Sequence, residues 1–180
     1  RIMRLHGIDR DAFDRFRSET ANWYYEVVAP GFKYNMTDVA AAMGIVQLER
    51  LDGFVVHREA LAQRYHDLLS DLPLILPSSA QQGDRHAWHL YVIRLAPEAI
   101  ARGIDRDGVI AGLTARGIGT SVHYVPLHRQ PYWRDRYALS PTDYPVAEAA
   151  YQTMISIPLY TKMTNADQDR VINALRELLG

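Results

Sequence analysis

Lysine is scarce in this chain: Lys33 and Lys162 stand against eighteen arginines. Lys33 lies in Gly31-Phe32-Lys33-Tyr34-Asn35, directly before a helix start at Thr37-Asp38. Free backbone N–H groups and the helix dipole favour an anion there, so a cation and an amide two residues apart make a candidate anion contact. An ordinary loop lysine is the alternative. Lys162, just before Thr164, reads as a solvated surface charge. A second group, His123-Tyr124 with Pro126 and His128, puts two imidazoles and a phenol at the carboxyl end of an expected strand. Ligand contacts are often built there in α/β sheets, although a structural role accounts for these residues equally well. His86 and His89, three apart on another expected strand, point to opposite faces and read as hydrogen-bonded strand histidines rather than one metal site. No glycine-rich phosphate loop, nucleophile elbow or paired-carboxylate pattern occurs.

The elements that must position these residues follow from periodicity and punctuation. An aromatic cluster, Trp23, Tyr24 and Tyr25, precedes a Pro30-Gly31 turn. Val39, Ala42, Met43, Val46, Leu48, Leu51 and Phe54 recur at three- and four-residue steps, which predicts a long helix with Thr37 as its N-cap. Its small residues, Ala40, Ala41, Ala42 and Gly44, suit close approach of another backbone. The helical signal continues through Arg58–Leu69, with a bend possible at Gly53, and Pro73 and Pro77 end it. Strands are expected at His86–Leu95, Ile118–Tyr124 and Ile155–Leu159. Helices are expected at Val109–Arg116 (closed by Gly117), Tyr132–Tyr137, Pro145–Tyr151 and Gln168–Leu179, the last capped by Thr164. This alternation implies α/β layer packing, with the strongest domain boundary near residue 53.

The composition removes several classes of function. Net charge is −1 with both signs mixed throughout, which leaves no electrostatic footprint for nucleic acid or an anionic membrane. The absence of cysteine excludes disulfides, thiolate nucleophiles and cysteine-based zinc sites. No apolar run reaches the roughly 18 residues of a membrane span, so no membrane insertion is expected. The chain opens Arg1-Ile2-Met3 without an initiator methionine, and is expected to be part of a longer protein.

Gly31-Phe32-Lys33-Tyr34-Asn35-Met36-Thr37-Asp38, followed by Ala40-Ala41-Ala42-Met43-Gly44 and Gln47-Leu48, resembles the DegT/DnrJ/EryC1/StrS family of sugar aminotransferases. Further matches follow in the family's order: Arg58 with Tyr65, His86-Ala87-Trp88-His89-Leu90-Tyr91, Gly117-Ile118-Gly119-Thr120, His123-Tyr124 with Pro126-Leu127-His128, and Ser156-Ile157-Pro158-Leu159. The resemblance implies the C-terminal part of a fold-type-I transferase dependent on pyridoxal 5'-phosphate: a homodimer in the cytoplasm, with glutamate as amino donor and 2-oxoglutarate as product. Residues 1–53 would end the large cofactor domain, interface helix included, and 54–180 would form the small α/β domain. Lys33 and Asn35 would contact the cofactor phosphate of the neighbouring subunit, in swapped form relative to the Asn and Arg of most members. His123, Tyr124 and His128 would contact the nucleotide-sugar substrate. Residues 31–38 and the His86–His89 run look most like members that aminate a UDP-linked 4-keto-pentose for lipid A modification. The family's Schiff-base lysine would precede Arg1, so no catalytic residue is expected within these 180 residues and no activity from them alone. The competing readings are a non-catalytic sugar-nucleotide-binding module and a dehydratase of the same family. A lysine at the upstream Schiff-base position would favour transamination, and a histidine there dehydration.

Overall fold

The computed structural model describes residues 2–9 and 25–180, so Trp23 and Tyr24 of the aromatic cluster lie outside the described residues. The chain divides into two compact units, 1–50 and 51–180. Helix α1, Asp38–Leu69, contributes residues to each. Thr37 starts it: its Oγ1 accepts a hydrogen bond from the Ala40 N–H at 3.3 Å. The bend considered at Gly53 does not occur. A helical glycine costs only about 1 kcal/mol relative to alanine, and the good helix formers Glu49, Arg50 and Leu51 before it and Arg58, Glu59, Ala60 and Leu61 after it carry the ladder through. The two halves of α1 differ in surroundings. Val39, Met43 and Val46 are exposed in this chain, whereas Leu61, Ala62, Tyr65 and Leu69 are fully or almost fully buried.

In the second unit a three-stranded antiparallel sheet has the order β1 (Leu74–Ile75), β2 (Tyr91–Leu95), β3 (Met154–Ile157). The β2–β3 register sets Tyr91 opposite Ile157 and Ile93 opposite Ile155. Along β2 the residues Tyr91, Ile93 and Leu95 are buried while Val92 and Arg94 are half-buried, the period-two pattern of one face packed on a core. Helices α2 (Pro97–Ala101), α3 (Arg106–Ala115), α4 (Pro131–Tyr137), α5 (Pro145–Thr153) and α6 (Asn165–Leu179) complete the unit among the described residues. Asp105 caps α3 by accepting from the Gly108 N–H at 2.6 Å, and Gly117 follows its end at φ +70°, the left-handed region that favours glycine. Thr164 and Asp167 form a reciprocal capping box at α6. The core joins Tyr65 and Leu69 of α1, the buried face of β2, Ile155 of β3, Leu113 of α3, and Val171 and Leu175 of α6. Burial pushes the Tyr65 and Tyr91 phenols well above the usual tyrosine range.

Two expected strands are shorter than their sequences suggest. Residues 86–89 form no strand: Trp88 takes φ 46°, and its N–H donates to His86 Nδ1 at 2.9 Å. The Trp88 and His89 carbonyls accept from the Arg58 guanidinium at 2.8 and 3.1 Å, so they serve a side chain rather than a neighbouring strand. His86 and His89 are therefore not strand residues, and strand alternation does not set which way they face. Ile118–Tyr124 is also not a strand; only Ser121 bridges to Ser156, with N–H···O contacts of 3.1 and 2.7 Å. The neighbouring Gly117, Gly119 and Pro126 limit this pairing to a single residue. The third strand ends at Ile157 because Pro158 has no N–H to extend the ladder.

Candidate active site

Two loops carry the candidate residues, one in each unit. In the first, backbone hydrogen bonds zip residues 3–9 to residues 26–34. Phe32 N–H donates to Met3 O at 2.7 Å, Tyr34 N–H to Arg4 O at 2.7 Å, and His6 N–H to Phe32 O at 2.8 Å. Lys33 pairs with Leu5 in an antiparallel bridge. The zipper needs two glycines. A Cβ on Gly7 (φ +74°) would lie 1.7 Å from Ala29 O, and one on Gly31 would lie 1.9 Å from the Gly7 nitrogen. Phe32 and Tyr34 stack at 5.0 Å, the same-side arrangement of alternate residues in extended chain, which leaves Lys33 and Asn35 to the other side. Both are exposed. Neither side chain has a hydrogen bond or ion pair among the described residues.

In the second loop, hydrogen bonds consume most of the polar capacity. His123 Nδ1 lies 2.9 Å from Ser156 Oγ of β3, and a cis peptide bond joins His123 to Tyr124. Tyr124 is 79% exposed, with its ring edge-on to the His123 ring at 5.3 Å. Pro126 begins a 3-10 turn, Leu127–Arg129. His128 is buried, stacked on Tyr144 at 5.1 Å, with Nε2 2.9 Å from Glu148 Oε2. Arg129 grips the same carboxylate through two N–H donors, to Oε2 at 2.8 Å and to Oε1, and its guanidinium lies over the Tyr151 ring. Gln152 donates to Glu148 Oε1 at 2.7 Å. The Arg129 donors foremost, then His128 and Gln152, hold the Glu148 carboxyl down at about 2.

The three residues chosen in this loop thus differ in availability. Tyr124 offers a free face, His123 shares its ring between Tyr124 and Ser156, and His128 is enclosed with a partner on Nε2. Glu148 and Tyr144 did not stand out in the sequence, and Ser156 entered only as part of a family match. They act on residues 16 to 33 positions away, a separation that no local spacing rule reads. Beside His128 a cleft of about 310 Å³ opens between Leu127, Trp133, Leu139, Tyr144 and Ala147. Among the described residues no group of three or more His, Cys, Asp or Glu side chains is placed to hold a metal ion. No helix there is long and apolar enough to cross a membrane.

This α/β chain has a cation-bearing loop before a helix start and a histidine–tyrosine loop beside a small sheet. The DegT/DnrJ/EryC1/StrS aminotransferase family pattern matches residues 1–176, and the chain belongs to that family of pyridoxal-phosphate-dependent aminotransferases. Among curated relatives it is 39% identical over 180 residues to the uncharacterized protein MJ1066 of Methanocaldococcus jannaschii. It is 38% identical over 180 residues to the spore coat polysaccharide biosynthesis protein SpsC of Bacillus subtilis. The matches cover 100% and 99% of this chain but 46% of each relative, so the chain spans about half the length of the relatives it matches. Among solved structures it is similar to Spr1654 of Streptococcus pneumoniae, assigned as a sugar aminotransferase and determined in its PMP form. That match has a TM-score of 0.80 and 28% identity, and covers 98% of this chain and 43% of the other.

The residues fit a pyridoxal phosphate group at its phosphate end. A phosphate takes cationic and amide donors, and the first loop supplies an ammonium and a carboxamide with no competing partner among the described residues. The start of α1 adds the positive end of its dipole.

Proposed function

We propose that the whole protein transfers an amino group from glutamate to a nucleotide-linked 4-keto-sugar, with pyridoxal phosphate as cofactor. The observation that carries this reading is the family match along residues 1–176, together with the exposed Lys33–Asn35 pair before α1. When bound, the cofactor carries the amino group and its ring accepts the electron pair released during transfer. This chain's residues do the rest locally. Lys33 Nζ and the Asn35 amide hold the phosphate, Tyr124 presents its phenol to the sugar, and His123 keeps that ring in place. His128 acts at the substrate by fixing the loop's far end. Residues 1–53 finish the cofactor domain, and 54–180 form the small domain. The exposed apolar half of α1, with Gly44 open around its Cβ position, packs against a second subunit of a cytoplasmic homodimer.

A UDP-linked 4-keto-pentose on the route to lipid A decoration is the finer substrate reading, supported by the sequence of residues 31–38 and 86–89. The test is the cofactor absorbance of the full-length protein. Glutamate should convert the spectrum with release of 2-oxoglutarate, and a UDP-linked 4-keto-pentose should restore it. A spectrum indifferent to glutamate would overturn the transaminase reading. Restoration only by a 4-keto-hexose would overturn the pentose. Residues 1–180 alone should bind no cofactor covalently, since neither Lys33 nor Lys162 stands in the family's Schiff-base motif. A borohydride-fixed adduct on either lysine would contradict this.

A further inference from the structure

The segment from His123 to Arg129 is fastened at both ends and bare in the middle. At its start His123 is tied to Ser156 of β3 at 2.9 Å. At its end His128 and Arg129, adjacent in sequence, both close on Glu148 of α5. Between the anchors Tyr124 and Val125 are exposed, and no described side chain hydrogen-bonds the Tyr124 phenol. One carboxylate therefore carries the hydrogen-bonded part of the far anchor, beside the His128–Tyr144 stack and the Arg129–Tyr151 contact, and Gln152, one turn along α5, holds its Oε1 in place. The Glu148 side chain is itself only 17% exposed, so its bonds face little competition from water.

We propose that Glu148 is a positioning residue for the sugar substrate: by clamping His128 and Arg129 it sets where Tyr124 stands. The inference rests on the reading of Tyr124 as a sugar contact. Glu148 touches neither the sugar nor the cofactor; it acts only through the loop. Releasing the clamp lets the loop end shift while β2, β3 and the core stay packed. A shift of about 1 Å at a binding group costs on the order of tenfold or more in binding or rate. The penalty falls on sugar recognition, and the Lys33–Asn35 loop, whose backbone bonds do not involve the clamp, is left as it was.

The experiment uses the full-length protein and its Glu148→Gln and Arg129→Gln variants, with Glu177→Gln on the outer face of α6 as a control. In Glu148→Gln the KM for the UDP-linked keto-sugar should rise about tenfold, while the glutamate half-reaction, read from the cofactor spectrum, keeps its parental rate. Arg129→Gln should reproduce the shift, and the double variant should add little to either single one, as expected of residues in one network. A crystal structure of Glu148→Gln should show Tyr124 displaced from its parental position. An unchanged KM with Tyr124 in place overturns the proposal. So does an equal fall in both half-reactions, which marks a plain loss of folded enzyme. Should Glu148→Gln fail to fold, Arg129→Gln decides by the same readouts. A parent that does not aminate the sugar overturns the functional reading alone, and the place of Tyr124 in the variant then decides this proposal.

Discussion

The loop at residues 31–37 and the loop at residues 123–129 hold their candidate residues in opposite ways. In the first the backbone does the holding: main-chain hydrogen bonds and a glycine crossing fix residues 31–34, and the Lys33 and Asn35 side chains keep their full hydrogen-bonding capacity. In the second the side chains do the holding: His123 Nδ1 is spent on Ser156, His128 Nε2 and the Arg129 guanidinium on Glu148, and Tyr124 is the most exposed of the three candidates. Among the described residues no buried side-chain nitrogen or oxygen lacks a partner. Capacity for a ligand therefore lies with exposed groups on a rigid backbone. A residue type that looks catalytic in sequence is often already occupied with the fold.

Variants separate these two modes by size of effect. The largest loss should come from the core of the second unit. Leu175→Ala on α6, at a fully buried position, should cost about 2–5 kcal/mol of stability, read as a lowered denaturant midpoint. A cost below about 1 kcal/mol would mean that this core collapses to fill the hole. Next comes the apolar half of α1. Met43→Glu should leave the chain folded but weaken self-association by about a hundredfold, since a buried unpaired carboxylate is strongly destabilising. Sedimentation showing an undiminished dimer would remove α1 from the interface. Thr164→Ala should cost about 1 kcal/mol by deleting one arm of the α6 capping box, in which Asp167 N–H donates to Thr164 Oγ1 at 3.2 Å.

The last effect is one of pH. Glu148 has its folded pKa depressed, so its contribution to stability is fully present above the ordinary carboxylate value of 4.5 and is lost as pH falls through about 2. Between those values the parent should lose stability faster than Glu148→Gln, in acid titrations followed by circular dichroism. Parallel curves would show that the carboxylate is not held by Arg129 and His128 in solution. That result would also dissolve the contrast between the two loops.

Much of the framework was legible because it is local. Thr37 and Thr164 announce helix starts, Gly117 announces an end, and Pro73 and Pro77 mark where the long helical run must stop. The strands were overread. His86–His89 has strand-like residue types, but Arg58, about thirty positions earlier, takes the carbonyls that a neighbouring strand would need. Ile118–Tyr124 shows the same limit: propensity reports what a backbone tolerates, and pairing depends on what stands beside it. At the site, Lys33 and Asn35 were found from their place before a helix start. Their anchorage to residues 3–6 was not, because the zipper joins segments more than twenty residues apart. His123 and Tyr124 were chosen for a strand end that does not exist. They occupy instead a loop pinned to β3 through Ser156. Glu148 was missed because a carboxylate one turn into a short helix gives no local sign that two residues some twenty positions earlier converge on it.

The Lys33–Asn35 loop is proposed as the place where a cofactor phosphate is held. The direct measurement is titration of pyridoxal phosphate into the apo full-length protein and its Lys33→Ala, Asn35→Ala and Lys162→Ala variants, followed by absorbance. Loss of a charged hydrogen bond should weaken binding roughly 10- to 150-fold in Lys33→Ala. The effect in Asn35→Ala should be smaller, because a neutral amide contributes less than a cation, and Lys162→Ala should match the parent. Equal affinities in Lys33→Ala and the parent would contradict the account and leave Lys33 an ordinary surface lysine.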